Sequence, residues 1–215
     1  MIPATLRGAA AALFIGCLQT PVFAGGPVKA PITPMQPIER SPFEKGRFEL
    51  QSGLGAFWGF SPDGSERDTI NYMLSTYRLG VMLNDPAGDG WYRGNFQFMV
   101  EGFYGSVFEG PGDSLAGGSL ILRYNFVQPE SRWFPYVQIG AGGLWNDIHE
   151  DREQVLIGSE FEFILQASIG LRYQISPKWG IAVEGGYRHI SNADTDDRNR
   201  GLDSLGGLVG LVYSF

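Results

Sequence analysis

The chain has 215 residues, of which 43% are hydrophobic, 13% aromatic and only 18% charged, with 31 glycines. Its formal net charge of -7 leaves no basic footprint, which argues against nucleic-acid binding. The single cysteine, Cys17, falls in a segment read as cleaved, so no disulfide or thiol chemistry is expected of the mature protein.

Residues 1–24 place Arg7 before an apolar stretch from Ala9 to Leu18 and end on small Ala24 before Gly25, the pattern of a secretory signal peptide. "FIGC" has some likeness to a lipoprotein cleavage site, but Phe14 stands where a smaller aliphatic is usual and the segment runs on to "VFA". Residues 25–45 hold five prolines and no apolar period, and are expected to form an extended periplasmic leader ahead of a folded unit over 46–215.

No later run reaches the roughly 18 apolar residues of a spanning helix, so a membrane role requires strands. Eight segments alternate: 47–58, 72–83, 96–108, 119–126, 133–145, 161–173, 178–189 and 204–215. In "FEFILQASIGLRY", Phe161, Phe163, Leu165, Ala167, Ile169, Leu171 and Tyr173 share one face, while Glu162, Gln166, Ser168 and Arg172 share the other. Alternation alone does not choose the solvent, since a soluble barrel turns its apolar face inward. The charges choose it. Glu49, Arg78, Glu101, Arg123, Glu162, Arg172, Glu184 and Arg188 all fall on polar faces, a balanced set that can pair inside a narrow barrel while the apolar face meets lipid. The predicted fold is all-β: an eight-stranded antiparallel transmembrane β-barrel of the bacterial outer membrane.

Connections over 59–71, 109–116, 147–158 and 191–203 are mostly longer than those over 84–93, 127–132 and 174–178. This asymmetry puts both termini on the periplasmic side. Trp133 and Trp179 then mark the periplasmic aromatic girdle, and Trp58, Trp145 and Tyr187 the outer one. Val209, Leu211, Tyr213 and terminal Phe215 share a face, and such a last strand resembles the terminal strand of outer-membrane barrels, which the assembly machinery recognises.

Parity along the seventh strand places His189 and Ser191 side by side on the lipid face near the outer rim, with Asp203 entering the eighth strand on the same face. A histidine base, a serine nucleophile and a carboxylate that orients the imidazole make an acyl-transfer constellation. A polar strand end at the water boundary would carry the same residues. Placement of a histidine, a serine and a carboxylate against lipid favours use.

"RHISNA", an acid 14 residues after the histidine and a final strand ending "YSF" resemble the lipid A 3-O-deacylase (PagL) family of eight-stranded outer-membrane esterases. The likeness is sharpest over 184–215. It implies the His-x-Ser pair at His189 and Ser191, the oxyanion-forming asparagine at Asn192 and the triad acid at Asp203, with the ester-linked 3-hydroxyacyl chain at position 3 of lipid A as substrate and no cofactor. Asp203 stands where the best-known members carry glutamate; Asp194, Asp196 and Asp197 are the other acids within reach in sequence. Glu184 belongs to the opposite, interior face.

"NADTDDRN" lacks the glycine and distal glutamate of a calcium loop, and His149 has no second histidine nearby, so no dedicated metal site is expected. The Gly-x-Gly runs lie within strands and open no helix, which argues against nucleotide binding. Two other functions fit the same barrel: a non-catalytic lipopolysaccharide-binding, adhesion or anchoring protein, and an esterase acting on another acylated lipid. Nothing in the sequence argues for a homodimer.

Overall fold

The computed structural model describes residues 41–60 and 69–215. The expected signal peptide, residues 25–40 of the expected leader and most of the first connection lie outside the described residues.

Eight antiparallel strands, β1 (Phe48–Phe60), β2 (Asn71–Met82), β3 (Gly94–Glu109), β4 (Ser114–Phe126), β5 (Trp133–Asn146), β6 (Phe161–Gln174), β7 (Trp179–Ser191) and β8 (Leu202–Ser214), close into a barrel in sequential order. Closure pairs β1 with β8, so neither edge is left open. The exterior is apolar along the alternating rows, with Leu50, Leu54, Val100, Leu120, Ile139, Leu165, Ile169, Val183 and Val209 all exposed. In lipid that exposure is burial, and a closed barrel with every ladder bond made internally is one of the two structures that can span a bilayer. This is a transmembrane barrel of the outer-membrane type.

At the end where β1 begins and β8 finishes, Trp133 packs on Tyr173 and Trp179 on Tyr213, with ring centroids 4.6 and 4.7 Å apart. Trp145 packs on Phe161 at the opposite end, 5.2 Å away. Trp133 and Trp179 thus share one end of the barrel, and Trp145 stands at the other.

The interior is layered. In the middle, Arg78 donates through Nε to Glu101 at 2.6 Å and through Nη1 and Nη2 to Glu184 at 2.8 and 3.1 Å. Tyr136 and Gln138 also donate to Glu184, at 3.1 and 3.0 Å, and Arg188 reaches Glu101 at 3.2 Å. Arg172 pairs with Glu49, and Arg123 donates to Gln138 and Gln51. Three of the four expected acids thus join all four arginines. Glu162 stands apart. Its Oε1 accepts the backbone N–H groups of Gly158 and Ser159 at 3.2 and 2.9 Å.

Above the network, at the end opposite the start of β1, the interior becomes apolar. Phe57, Tyr72, Leu74, Phe103, Leu115, Leu144, Ile164, Ile190 and Leu208 pack with Ile148, Leu156 and Ile157 of the β5–β6 connection, which folds into the barrel mouth as a cap. At the other end Phe43 is buried with Met82, Val127 and Phe134, its ring 4.5 Å from that of Phe134. Residues just before β1 therefore belong to the folded unit, whereas the sequence reading left everything up to residue 45 to the leader.

One expected loop, 109–116, is shorter than its expected range. β4 begins at Ser114, so residues 110–113 form a tight turn with positive φ at Gly110 (100°) and Gly112 (82°). "SLAGG" hid that extension because its glycines carry no alternation. Asp147 binds the turn to the next connection, accepting from Asp113 N, Ser114 N and Ser114 Oγ at 2.8, 3.0 and 2.8 Å.

Removing Glu184 strands two guanidinium donors of Arg78 in a buried site. Glu184→Ala is expected to destabilise the barrel by about 3–5 kcal/mol, the usual cost of orphaning a buried charge. Urea unfolding in lipid vesicles measures it, with the lipid-facing Leu120→Ala as the comparison expected to change much less.

Candidate active site

β7 carries His189 and Ser191 outward, and β8 runs back beside it so that His189 and Asp203 are direct register partners. His189 Nδ1 stands 2.8 Å from Asp203 Oδ1; a carboxylate accepts, so Nδ1 is the donor in this contact. Direct pairing explains how an aspartate reaches the imidazole. Opposed residues in an antiparallel pair bring their Cβ atoms within about 5 Å, so no extra methylene is needed to span the gap.

The imidazole side chain is 31% exposed and the carboxylate 11%. Tyr187, two residues before His189, donates its hydroxyl to the same Asp203 Oδ1, and Phe60 is the register partner of Asp203 on β1. Across β6 the partners of His189 and Ser191 are Leu165 and Phe163. An apolar wall therefore surrounds a short polar row. Tyr187 was assigned to the aromatic girdle from sequence; its outward parity two positions from His189 was the available sign of a second role.

Asp194 accepts from Asn199 Nδ2 at 2.8 Å, and Asp196 accepts from Arg198 N at 3.0 Å. Asp197 is exposed. None of these three meets His189 among the hydrogen bonds of the described residues, whereas Asp203 does. Ser191 Oγ forms no hydrogen bond with His189 in this geometry; such bonds are often long before substrate arrives.

Asn192 departs from its expected place. Its side chain is fully buried on the inward parity, its Nδ2 donates to Arg198 O at 3.1 Å and its backbone N–H donates to Asn199 Oδ1 at 3.0 Å. Its backbone N–H and one N–H of its amide are committed to closing the loop, and its side chain lies on the face opposite Ser191, which argues against the reading of its amide as an oxyanion donor. The next two residues are unusual instead: Ala193 and Asp194 have φ of 53° and 64°. Successive non-glycine residues in that region are costly and recur at functional sites, and consecutive N–H groups in such turns form anion-binding concavities.

The loop holding these residues, 192–201, is clamped by the mouth cap. Arg198 donates to the carbonyls of Asp151 and His149, both at 2.8 Å, and Gly201 N donates to Leu156 O at 3.0 Å. Gly201 has φ of 74°, and a Cβ there would stand 2.8 Å from His189 Cε1. Gly201→Ala is thus expected to shift the imidazole and lower turnover by about 10- to 100-fold with the barrel intact, since misplacement near 1 Å costs up to about 100-fold. Initial rates beside a heat-modifiability gel separate the two effects. His149 sits in the cap with Nδ1 2.9 Å from Asn146 O, and no cluster of three His, Cys, Asp or Glu side chains gathers among the described residues.

A family profile described as "Lipid A 3-O-deacylase (PagL)" matches residues 71–212, about two-thirds of the chain and all of the polar row. The chain belongs to the lipid A 3-O-deacylase (PagL) family. Among solved structures it is similar to Neisserial surface protein A (NspA), with a TM-score of 0.58 and 16% identity over 78% of this chain and 97% of that one. It is also similar to the outer membrane enzyme PagL, with a TM-score of 0.49 and 20% identity over 74% of this chain and 97% of that one. No curated protein sequence matches. The likeness to NspA shows the fold, and the family profile carries the kinship.

Proposed function

We propose that this protein is a lipid A 3-O-deacylase, a serine ester hydrolase that removes the 3-hydroxyacyl chain from position 3 of lipid A. The observation that carries the reading is the 2.8 Å contact between His189 Nδ1 and Asp203 Oδ1 on the lipid-facing wall, with Ser191 next in the same row. In the outer-membrane orientation, with the termini on the periplasmic side, that row lies in the outer leaflet. Family membership supplies the substrate class.

His189 Nε2 takes the proton of Ser191 Oγ as the oxygen attacks the ester carbonyl. Asp203 keeps Nδ1 protonated and stabilises the imidazolium. The backbone N–H groups of Ala193 and Asp194 make no hydrogen bond among the described residues, and they are assigned to the developing oxyanion. Collapse breaks the C–O bond, and the imidazolium protonates the departing sugar oxygen. Water, deprotonated by the same nitrogen, then releases the hydroxy fatty acid and restores Ser191. The scheme uses protein groups and water alone.

The same reading assigns the last strand, with exposed Val209, Leu211 and Phe215, as the segment read by the outer-membrane assembly machinery. Mass spectrometry of lipid A from cells expressing the protein tests the activity: one 3-hydroxyacyl chain is expected to be lost with the wild type and retained with Ser191→Ala. Unchanged lipid A in both would favour a non-catalytic barrel, and loss of acyl chains from other lipids alone would move the substrate.

A further inference from the structure

Inside the barrel, directly behind the catalytic row, two buried oxygens lack a donor. Glu162 Oε2 and Asn192 Oδ1 have no hydrogen-bond partner among the described residues, and both residues are 0% exposed. They are neighbours. The register pairs Ile164 with Ile190 and Phe163 with Ser191, so Glu162 and Asn192 come next on the two chains, both on the inward parity. A second chain of contacts closes on the same place: Asn192 Nδ2 donates to Arg198 O, a Cβ on Gly158 would stand 2.3 Å from that carbonyl oxygen, and Gly158 N donates to Glu162 Oε1.

The charges around Glu162 complete the accounting. Glu49, Glu101 and Glu184 each hold an arginine, but no cationic side chain pairs with Glu162 among the described residues. Arg198 is spent on carbonyls of the cap, and His149 Nδ1 faces Asn146 O. An acid, Asp196, also stands close to this place, its Oδ1 2.5 Å from the position of a Cβ on Gly158. A buried carboxylate left without a cation is strongly disfavoured. A proton on Glu162 would turn one of the two orphan acceptors into a donor for the other.

We infer that Glu162 is protonated and donates to Asn192 Oδ1, making it a positioning residue that holds the nucleophile-bearing end of β7 from inside the barrel. Glu162 Oε1 already anchors Gly158 and Ser159 of the mouth cap, and Asn192 already binds Arg198 and Asn199 of the β7–β8 loop. The shared proton joins the cap to the loop next to Ser191. The inference rests on the esterase reading for its consequence, but not for its chemistry.

Two variants of the full chain in detergent decide it. E162Q offers the same shape, with an amide N–H for Asn192 and a carbonyl for the cap, and is expected to keep the wild-type kcat. E162A removes both contacts and is expected to lower kcat by about 10- to 100-fold through a shifted nucleophile, with KM nearly unchanged. A fall in E162Q matching that in E162A would overturn the inference, since it would mean that an ionised carboxylate, served by a cation or buried water, is what the site requires. An E162A enzyme as fast as the wild type would overturn it equally. Should E162A not fold, E162Q decides alone. Infrared difference spectra of wild type minus E162Q at neutral pH read the proton directly. A protonated-carboxyl carbonyl band is expected, and its absence overturns the inference even in a protein that deacylates nothing.

Discussion

Ser191→Ala is expected to slow release of the 3-hydroxy fatty acid by at least about 10,000-fold, with His189→Ala equally damaging and the double variant no worse than either single one. Nucleophile and base act as one unit, so losing either removes the acyl-enzyme route and a second loss has nothing left to take. Initial rates on purified lipid A in mixed micelles, with product quantified by mass spectrometry, measure this. Heat-modifiable migration on gels shows that each barrel is folded, as expected for side chains that lie outside the buried network. Ser191→Ala retaining a tenth of the wild-type rate would end the serine mechanism, as would additive losses in the double variant.

Asp203→Asn is expected to cost about 10,000-fold in turnover while leaving the strand pairing untouched, because an amide can present N–H to Nδ1 and trap the imidazole in the wrong tautomer. Asp203 Oδ1 accepts from both His189 and Tyr187 and has little room to adapt. Asp203→Glu retains the charge but adds a methylene between positions already in direct register. It is expected to fall by about 10- to 100-fold, the scale of an ångström of misplacement. Lipid A kinetics for both variants settle the acid: activity of Asp203→Asn within tenfold of wild type would remove Asp203 from the triad.

Much of this was legible beforehand because a strand has a two-residue period. Parity alone put His189, Ser191 and Asp203 on the lipid face and Arg78, Glu101 and Glu184 inside; the β2–β3 bulge at Asn71 and the buried start of β8 are the places where burial departs from the two-residue period. Parity also held the correct place for Asn192, on the face opposite Ser191. The oxyanion role came instead from a resemblance, which transfers residue types more safely than it transfers the direction of a side chain. Residues 114–118 escaped because glycine carries no alternation, and Phe43 because a buried plug of a few residues has no period at all.

The sequence by itself determined the class of fold and its solvent. Eight alternating segments with balanced charge on one face have few stable arrangements, since every backbone polar group in lipid must be paired within a closed sheet. It also placed the candidate nucleophile and base, which are two residues apart on one strand. What joins different strands was decided only by tertiary structure. Which acid meets His189 depended on the β7–β8 register, which a one-residue slip would reverse face for face. The apolar cap in the mouth, the Arg198 clamp and the pairing of Glu162 with Asn192 all depend on loops whose backbone groups are satisfied by distant residues. Local pattern carries no information about such partners, because their hydrogen bonds form only once the barrel has closed.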